Sequence, residues 1–432
     1  MAEPIDPAAQ REFALDVVER LRAAGHVASW AGGCVRDALL GLVPKDYDVA
    51  TDARPDQIRT LFGPKRTLAI GAAFGVITVL GKKPAGQIEV ATFRQDAAYS
   101  DGRHPDAVTF STPEHDAQRR DFTINGLFFD PLTEQVLDFV GGEKDLQARL
   151  IRAIGEPRQR FAEDKLRLLR AVRFAVRYQF AIEPKTRKAI EGMAGQIGVV
   201  SVERIAMELR AILEHPRRAD GMQLLAELGL LAAIMRKAAV PWPTEGLLSS
   251  ADWLMTLDVL GALGRPSFPL ALAALVHRMF DSGNSSKATS TLCVNLKLSN
   301  AETRLATWLV SQYANLHDAP NLPWPQLQRL LVAEEAADLL ALAEATARTD
   351  DDRAGIDFCR QKLALPPDLL NPPQLITGDV LVEHGLRPSP QFARLLVQVR
   401  DAQLLGQIKT KAEALALVDR LRDSGGFVAP NG

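Results

Sequence analysis

Hydrophobic and polar positions divide the chain into a mixed first third and a helical remainder. Short runs rich in β-branched residues and bounded by glycines predict strands at residues 75–80 and 87–93. A hairpin is predicted between residues 126–130 and 135–139. Alternation of polar and apolar side chains predicts another strand at residues 46–50. Helical patterns flank these strands, so we expect an α/β or α+β unit of about 145 residues.

Beyond residue 142 the strand patterns nearly vanish. Apolar positions recur at helical spacing in residues 160–178, 202–213 and 221–235. Proline-rich breaks then divide the helical part. The expected fold class is α+β, with a small mixed β-sheet and flanking helices followed by all-α domains. The expected domains are a head (1–145), a neck (146–215), a body (216–370) and a tail (371–432).

Composition excludes several classes of protein. The chain has 432 residues, of which 47% are hydrophobic and 24% charged, which is typical of a soluble globular protein. No apolar run approaches the ~18 residues of a membrane span, and residues 1–11 lack the apolar core of a signal peptide. Its three cysteines lie far apart, which argues against a disulfide framework or a zinc cluster. We therefore expect a cytoplasmic protein without membrane attachment, and the sequence indicates no stable protein partner.

The charge balance changes this picture only locally. Lys+Arg is 51 against Asp+Glu 53, a net charge of -2, which excludes a uniformly basic surface. Residues 156–188, however, carry ten Lys/Arg against four Asp/Glu, a net charge of +6. On a helix, Arg167, Arg170, Arg173 and Arg177 would share about a third of the circumference. That face could contact phosphate, although a solvated arginine face is the common alternative.

Candidate chemistry begins with two glycines and two aspartates. Gly32 and Gly33 precede a predicted helix and would let the backbone approach a phosphate, to which Arg36 could add a bidentate contact. Asp46 and Asp48 would lie on one face of the predicted strand, where they repel unless a cation bridges them. Mg²⁺ held in this way clamps a nucleoside triphosphate. Two exposed loop aspartates are the alternative, but the glycines just upstream favour catalysis.

Glu89 lies in the predicted strand 87–93, where Ile88 and Val90 face the other way. On an adjacent strand its carboxylate could complete a triad with Asp46 and Asp48, as general base or metal ligand. A glutamate in a strand is otherwise usually just exposed to solvent.

Three segments together resemble motifs of class II tRNA nucleotidyltransferases, the bacterial CCA-adding enzymes and their poly(A) polymerase relatives. The segments are Gly32-Gly33-x-Val35-Arg36-Asp37-x-Leu39-Leu40-Gly41, Asp46-x-Asp48-x-Ala50-Thr51 and Arg119-Arg120-Asp121-Phe122-Thr123-Ile124-Asn125, the last followed by Gly126 where alanine is usual. The resemblance implies a nucleotidyltransferase head in which Asp46 and Asp48 bind the catalytic metals and Glu89 is the third carboxylate. It also implies that Gly33 and Arg36 contact the triphosphate and Arg120 the nucleotide.

Residues 93–105 lack both helical and strand periodicity, which predicts a mobile loop over the site. The segment resembles the flexible loop that the family needs for adding the final A. Its presence argues against an enzyme that adds only CC, although an unrelated surface loop is the alternative.

Asp164 and Arg167 are three residues apart and would be neighbours on one helix face. A carboxylate accepts from the amino groups of cytosine and adenine, and a guanidinium donates to their ring acceptors, whereas uracil and guanine present the opposite pattern. The pair could therefore select C and A without a template; an intrahelical salt bridge is the alternative. The surrounding residues resemble the family's nucleotide-selection motif, which implies that Arg170 and Arg173 contact nucleotide or phosphate. That motif is Arg160-Phe161-x-Glu163-Asp164-x-x-Arg167-x-Leu169-Arg170-Ala171-x-Arg173-Phe174.

The C-terminal half carries weaker signals. Residues 375–379 and 403–412 resemble the tail segment with which the family grips RNA. Some relatives carry a His-Asp phosphohydrolase domain, but His277 is followed by Arg278 where a second metal ligand should stand. We therefore predict no phosphohydrolase activity and expect His277 to make local packing contacts.

The expected function is Mg²⁺-dependent addition of C, C and A to the 3′ end of tRNA from CTP and ATP, with release of pyrophosphate. Poly(A) polymerases of the same family share most of these motifs and remain an alternative. An inactive RNA-binding scaffold is an alternative of a different class.

Overall fold

The computed structural model describes residues 5–97, 107–242, 250–279 and 284–423. The chain forms two compact units, the first comprising residues 1–257 and 291–298, the second residues 258–290 and 299–432. No helix among the described residues is long and apolar enough to cross a lipid bilayer.

The first unit begins with a sheet and its flanking helices. Its elements are α1 (Pro7–Ala23), β1 (Ala28–Ala31), α2 (Gly33–Leu39), β2 (Asp48–Thr51), α3 (Pro55–Phe62), β3 (Thr67–Leu68), β4 (Val76–Leu80), β5 (Gln87–Thr92), β6 (Arg94–Asp96), β7 (Val108–Phe110), α4 (Pro113–Gln118), β8 (Leu127–Asp130), β9 (Gln135–Asp138) and α5 (Gly142–Gln147). The predicted α+β architecture of this part is confirmed.

A seven-stranded mixed sheet organises these elements in the order β3-β4-β5-β2-β1-β8-β9. Only the β2–β5 pair is parallel; every other neighbouring pair is antiparallel. Strand alternation sends Ile77 and Val79 of β4 and Ile88 and Val90 of β5 to one face, where all four are fully buried. Helix α1 packs on β1, β2 and β5, and α3 packs on β4. The opposite face carries the polar residues of the site.

The rest of the first unit is helical apart from a short parallel strand pair. It contains β10 (Leu150–Ile151), α6 (Pro157–Glu163), α7 (Leu166–Tyr178), β11 (Ala181–Ile182), α8 (Pro184–Met193), α9 (Val202–Leu213), α10 (Arg218–Glu227) and α11 (Leu230–Lys237). Helix α7 buries its leucines and valines and packs on α9 and α10. This places the charged face of α7 beside the sheet's polar face.

The second unit is all-helical within its described residues. The chain enters and leaves it through α12 (Ala251–Ala262) and α14 (Ser285–Asn295), and its own helices are α13 (Phe268–Val276), α15 (Asn300–His317), α16 (Trp324–Leu331), α17 (Ala336–Thr346), α18 (Asp350–Leu363), α19 (Pro367–Leu370), α20 (Gly378–Glu383), α21 (Gln391–Leu404) and α22 (Lys411–Leu421). Every residue of α13 is buried, and α13 packs on α15 and α17. A separate core forms around Leu381, Leu395, Val399 and Val418.

Three sequence predictions need correction. The strand expected at residues 46–50 begins at Asp48, so Asp46 lies in the preceding loop. The helix expected over residues 160–178 breaks at Asp164, whose extended backbone (φ -145°, ψ 107°) ends α6 before α7 begins. Part of the aperiodic segment 93–105 is strand, since β6 pairs with β7; its remainder, residues 98–105, lies outside the described residues. The hairpin of β8 and β9 is confirmed.

Candidate active site

The three candidate carboxylates meet at one end of the parallel strand pair. Asp48 opens β2 and is the direct register partner of Glu89 in β5. Asp46 precedes Asp48 by two residues in the loop that leads into the strand. Loss of hydration in the cleft, followed by the charges of Asp46 and Glu89, raises the pKa of Asp48 to about 6, although Arg120 opposes the shift. The fold thus holds Asp46 and Glu89 close enough to repel the Asp48 carboxylate.

This donor set fits a divalent cation that also binds phosphate. Among the residues that the structure describes, none of the three carboxylates has a basic side chain within salt-bridge distance. Nor do three His, Cys, Asp or Glu side chains in that part of the chain converge into a complete metal cage. Mg²⁺ characteristically takes one or two protein carboxylates and fills its shell with phosphate oxygens and water. Asp46 and Asp48 match that requirement.

Gly32 is required where the chain leaves β1 and enters α2. Its backbone adopts φ 71°, ψ -118°, a conformation that disfavours any residue with a Cβ. A Cβ on Gly32 would also lie 2.7 Å from Nη1 of Arg120. The glycine therefore lets the Arg120 guanidinium lie directly against the start of α2. Arg120 is fixed there by Asp116, which accepts from its Nη2 at 3.0 Å.

Arg36 is a buried cation in the lining of the cleft. It is only 4% exposed, and its Nε donates to Oδ1 of Asp37 at 2.8 Å. Its Nη1 donates to the side-chain oxygen of Asn125, and its guanidinium lies 4.6 Å from the centre of the Tyr178 ring. Gly33 is close enough that a Cβ there would meet Nη2 of Arg36 at 3.6 Å. Arg36 is thus pre-positioned by side chains.

The arginines of α7 are paired with acids. Arg170 contacts Asp121 at 2.6 Å, Arg173 contacts Glu208 at 3.2 Å and Arg177 contacts Asp37 at 3.1 Å. Arg167 pairs with Glu163 and is largely buried. Each of these four guanidinium groups lines the cleft while an acid holds it in place, and their contact with phosphate stays a prediction.

Asp121 anchors this network from the head. Burial alone would raise its pKa, but the Arg170 cation and the hydrogen bond from Asn125 lower the pKa of Asp121 to about 2. Its Oδ1 accepts from Nδ2 of Asn125 at 2.9 Å. Asn125 also contacts Arg36, so a continuous set of hydrogen bonds joins α2 to α7.

Phe174 separates three of these cations. The centre of its ring lies 5.2 Å from the guanidinium carbon of Arg36, 5.1 Å from that of Arg170 and 4.8 Å from that of Arg173. The face of an aromatic ring attracts cations, so the ring offsets part of their mutual repulsion. The residue is 4% exposed and lines the cleft.

Asp164 and Arg167 both line the cleft, but they do not form the intrahelical pair considered above. Asp164 caps the end of α6, and its Oδ2 accepts from Nη2 of Arg204 in α9 at 2.7 Å. Arg167 lies in the first turn of α7, where its Nη1 donates to the carbonyl of Arg160 at 2.8 Å. The break between α6 and α7 takes the two side chains off a common helix face. Each is oriented by its own partners.

The cleft between the sheet and α7 has a volume of about 600 Å³. Every predicted site residue except Glu89 lines it; Glu89 adjoins it through its register partner Asp48. The sequence-predicted lining residues are Gly32, Gly33, Arg36, Asp46, Asp48, Arg120, Asp164, Arg167, Arg170 and Arg173.

Sequence reasoning missed several other lining residues. Arg119, Asp121, Asn125 and Phe174 stand inside the motif segments, where their side chains could have been singled out. Arg204 lies in α9 and carries no local signal, because its position in the cleft depends on tertiary packing.

His277 lies outside this site, in the second unit. It is 5% exposed, its Nδ1 lies 2.8 Å from the carbonyl oxygen of Ala274, and its ring meets that of Tyr313 edge-on. These are the packing contacts that the sequence analysis expected.

Comparison with known proteins points to one family. Residues 28–152 match the model of the poly A polymerase head domain, and residues 179–240 match that of the probable RNA and SrmB-binding site of polymerase A. The CCA-adding enzyme of Lacticaseibacillus paracasei is 34% identical over 93% of this chain and 94% of its own length. That of Latilactobacillus sakei is 32% identical over 93% and 96%, respectively.

Solved structures agree with this assignment. The Bacillus stearothermophilus CCA-adding enzyme in complex with CTP superposes with a TM-score of 0.74 and 27% identity, covering 96% of this chain and 98% of that chain. The Thermotoga maritima CCA-adding enzyme complexed with tRNA shares the fold, with a TM-score of 0.64, 20% identity and 97% coverage of both chains. Members of this family are nucleotidyltransferases that generally depend on a metal ion. The chain therefore belongs to the family of CCA-adding enzymes.

Proposed function

We propose that this protein adds C, C and A to the 3′ end of tRNA, using CTP and ATP and releasing pyrophosphate. The observation that carries the proposal is the register pairing of Asp48 with Glu89, with Asp46 alongside, at the mouth of a cleft lined by arginines. Family membership supports it, as does the likeness to a CCA-adding enzyme that binds CTP.

In the proposed reaction the 3′ hydroxyl oxygen of the RNA attacks the α-phosphorus of CTP or ATP. The new O–P bond forms as the bond to the β-phosphate breaks, and pyrophosphate leaves. Mg²⁺ bound by Asp46 and Asp48 would supply charge neutralisation at the phosphates and a lowered pKa of the attacking hydroxyl. Glu89 lies beside Asp48 and accepts the hydroxyl proton.

The arginines receive the triphosphate. Gly32 and Gly33 line the cleft at the start of α2, together with Arg36 and with Arg120, whose guanidinium occupies the place that a Gly32 side chain would take. Arg170 and Arg173 extend the positive lining along α7. Guanidinium groups form bidentate contacts with phosphate, and those held in place by acids lose little conformational freedom on binding.

Base selection is assigned to Asp164 and Arg167. Asp164 accepts from the amino group of cytosine or adenine, and Arg167 donates to a ring acceptor. Arg204 orients Asp164, and Glu163 orients Arg167. Selection of a base without a template requires donors and acceptors at fixed positions, and these two contacts provide them.

The test uses purified protein, a tRNA transcript that ends before its CCA sequence, and CTP with ATP. Sequencing of the product should show three added nucleotides in the order C, C, A. Long tails from ATP alone would identify a poly(A) polymerase instead. Asp46→Ala with Asp48→Ala should abolish addition; a biological role that survives this double change without loss would identify a scaffold.

The division of the chain into head, neck, body and tail, as expected from the sequence, also belongs to this proposal. So does a cytoplasmic location, which is supported by three free and buried cysteines, Cys34, Cys293 and Cys359, as found in reducing compartments.

A further inference from the structure

The row of register partners that contains the carboxylates continues beyond Glu89 to the edge of the sheet. Glu89 pairs with Thr78 of β4, and Thr78 pairs with Leu68 of β3, the outermost strand. Neighbouring strands lie about 4.8 Å apart, so Thr78 and Leu68 follow Glu89 at roughly 5 and 10 Å on the same face. Thr78 is half-buried and Leu68 is 40% exposed. The catalytic face therefore extends as an open strip of sheet.

Positive charge borders this strip. Residues 57–88 contain five Lys/Arg and no Asp/Glu, in a chain whose net charge is -2. Lys65 and Arg66 lead into β3, and Lys82 and Lys83 form the β4–β5 turn at the same end of the sheet as Glu89. All four are exposed, and within the described residues none has a carboxylate partner. These four cations, with Leu68 and Thr78, are called the β3–β4 surface below.

The direction from which the nucleophile must attack indicates which substrate lies on the β3–β4 surface. The residues that border the triphosphate space, Gly32, Gly33 and Arg36, follow β1, which lies on the far side of β2 from β5. In an in-line displacement the attacking oxygen approaches opposite the leaving pyrophosphate. The nucleophile must then arrive from the side of β5, β4 and β3, where the β3–β4 surface lies.

We propose that the β3–β4 surface holds the single-stranded 3′ end of the RNA primer. Lys65, Arg66, Lys82 and Lys83 contact the last phosphates, while Thr78 and Leu68 support the terminal ribose beside Glu89. The assignment rests on the proposed function, because it takes the carboxylate row as the reaction centre. Cations without a carboxylate partner are suited to binding RNA phosphates. Each contact releases counterions from the RNA, and no ion pair within the protein has to be broken to form it.

The first test compares two exposed leucines. Leu68→Glu should raise the Kd of the tRNA transcript, measured by fluorescence anisotropy without nucleotide, about tenfold through repulsion of phosphate. Leu68→Lys should leave it unchanged or lower it. Leu132→Glu is the matched control, because Leu132 is 45% exposed in the β8–β9 turn at the opposite side of the sheet. The KM for CTP should stay constant in all three variants.

The second test removes the cations. Lys82→Ala with Lys83→Ala should raise the KM for RNA several-fold without changing the KM for CTP, and Lys82→Arg with Lys83→Arg should restore it. Equal RNA binding by Leu68→Glu and Leu132→Glu would overturn the proposal. So would equal weakening by Leu68→Glu and Leu68→Lys, which would indicate a structural effect.

A third measurement needs no substitution. 4-Thiouridine at the last position of the transcript should photo-crosslink to residues 65–83, as mapped by mass spectrometry. Crosslinks confined to other segments overturn the proposal. A wild-type protein that binds RNA but adds no nucleotide would contradict the proposed function alone, because the binding and crosslinking assays contain no CTP.

Discussion

The neck segment and the β3–β4 surface carry similar positive charge in sequence but differ in their partners. Residues 156–188 have a net charge of +6, and residues 57–88, which contain the β3–β4 surface and also Arg59 of α3, have a net charge of +5. In the neck segment Arg170, Arg173 and Arg177 each contact an acid, whereas the cations of the β3–β4 surface are exposed and have no carboxylate partner within the described chain. Paired cations are held rigidly for a small ligand; unpaired ones suit a mobile polyanion.

The largest effect should come from the carboxylates that lie between the two regions. Asp48→Asn should lower the rate of nucleotide addition by about 10³-fold or more, because it removes one of the two carboxylates proposed to bind the metal ion. The RNA affinity measured without nucleotide should change little. A loss of RNA affinity as large as the loss of rate would show that the two regions are not separate.

The same substitution should stabilise the metal-free protein. The pKa of Asp48 is about 6 against an ordinary 3.8, so the folded state binds the proton more tightly and its stability falls as pH rises from about 4 to about 6. Asp48→Asn lacks this loss, and at pH 8 with EDTA its free energy of unfolding should exceed that of the wild type by about 1 kcal/mol, the full shift being reduced by solvent exposure. Urea unfolding at pH 4 and pH 8 measures this difference.

Breaking a pair in the neck segment should cost far more stability than removing an unpaired cation. Asp121→Asn leaves Arg170 without its partner and should lower the free energy of unfolding by about 3 kcal/mol at pH 7. The pKa of Asp121 is lowered to about 2, so its contribution is complete above about pH 4 and disappears as pH falls towards 2.

The matched change, Lys82→Ala with Lys83→Ala, should alter the free energy of unfolding by less than about 0.5 kcal/mol. Denaturant titrations at pH 7 and pH 3 test both variants. Equal destabilisation by the two at pH 7 would remove the distinction between paired and unpaired cations.

Phe174→Leu should raise the KM for CTP and ATP about tenfold. Leucine fills similar space but cannot offset the repulsion among Arg36, Arg170 and Arg173, so these side chains lose their fixed positions. The Kd for RNA should not change. Steady-state kinetics with each nucleotide varied in turn gives the result, and Phe174→Tyr is the control that retains the ring.

A smaller effect should appear in the salt dependence of RNA binding. Lys82→Ala with Lys83→Ala should reduce the slope of log Kd against log salt by about 1.4, because each of the two lost phosphate contacts on a single strand removes about 0.7. Arg173→Gln should leave the slope unchanged, since Arg173 is paired with Glu208 and faces the nucleotide cleft. A similar change in slope for both variants would contradict the proposal that the β3–β4 surface binds RNA while Arg173 binds the nucleotide.

The smallest effect should come from Arg187, which contributes to the neck's net charge but lies outside the cleft lining. It pairs with Glu191 at 2.9 Å and Glu227 at 3.1 Å, and its side chain is 37% exposed. Arg187→Gln should change the free energy of unfolding by less than about 0.5 kcal/mol and leave both KM values unchanged. A clear rise in the KM for RNA would extend the RNA-binding surface to α8.

The strands and the carboxylates were predictable from the sequence because their signals are local. Alternation and glycine boundaries predicted β4, β5 and the β8–β9 hairpin to within one or two residues. The order of the strands was not predictable, since the parallel pairing of β2 with β5 joins residues about forty positions apart. That pairing is what brings Asp48 beside Glu89.

The acidic partners of the arginines could not be predicted either, because they too lie far away in the sequence. Glu208 and Arg204 lie on α9, and their contacts with Arg173 and Asp164 exist only after α9 packs on α7. A count of charges predicted a basic helix face, but it could not show that acids from other elements form ion pairs with its arginines. The break at Asp164 was hidden as well, because residues 160–178 keep helical apolar spacing across it.

The hydrogen bonds of Asp37 limit how one pocket can accommodate two nucleotides of different size. This buried side chain in α2 accepts from Arg177 at 3.1 Å and from the hydroxyl of Tyr178 at 2.8 Å, both in α7, while also holding Arg36. The residues proposed to border the triphosphate and the helix proposed to read the base are therefore joined by hydrogen bonds, which set the distance between α2 and α7 in the protein without nucleotide. A purine reaches farther from its ribose than a pyrimidine does. Under the proposed assignment, the difference in length between CTP and ATP is absorbed at the Asp164–Arg167 end of the cleft, not where α2 meets α7.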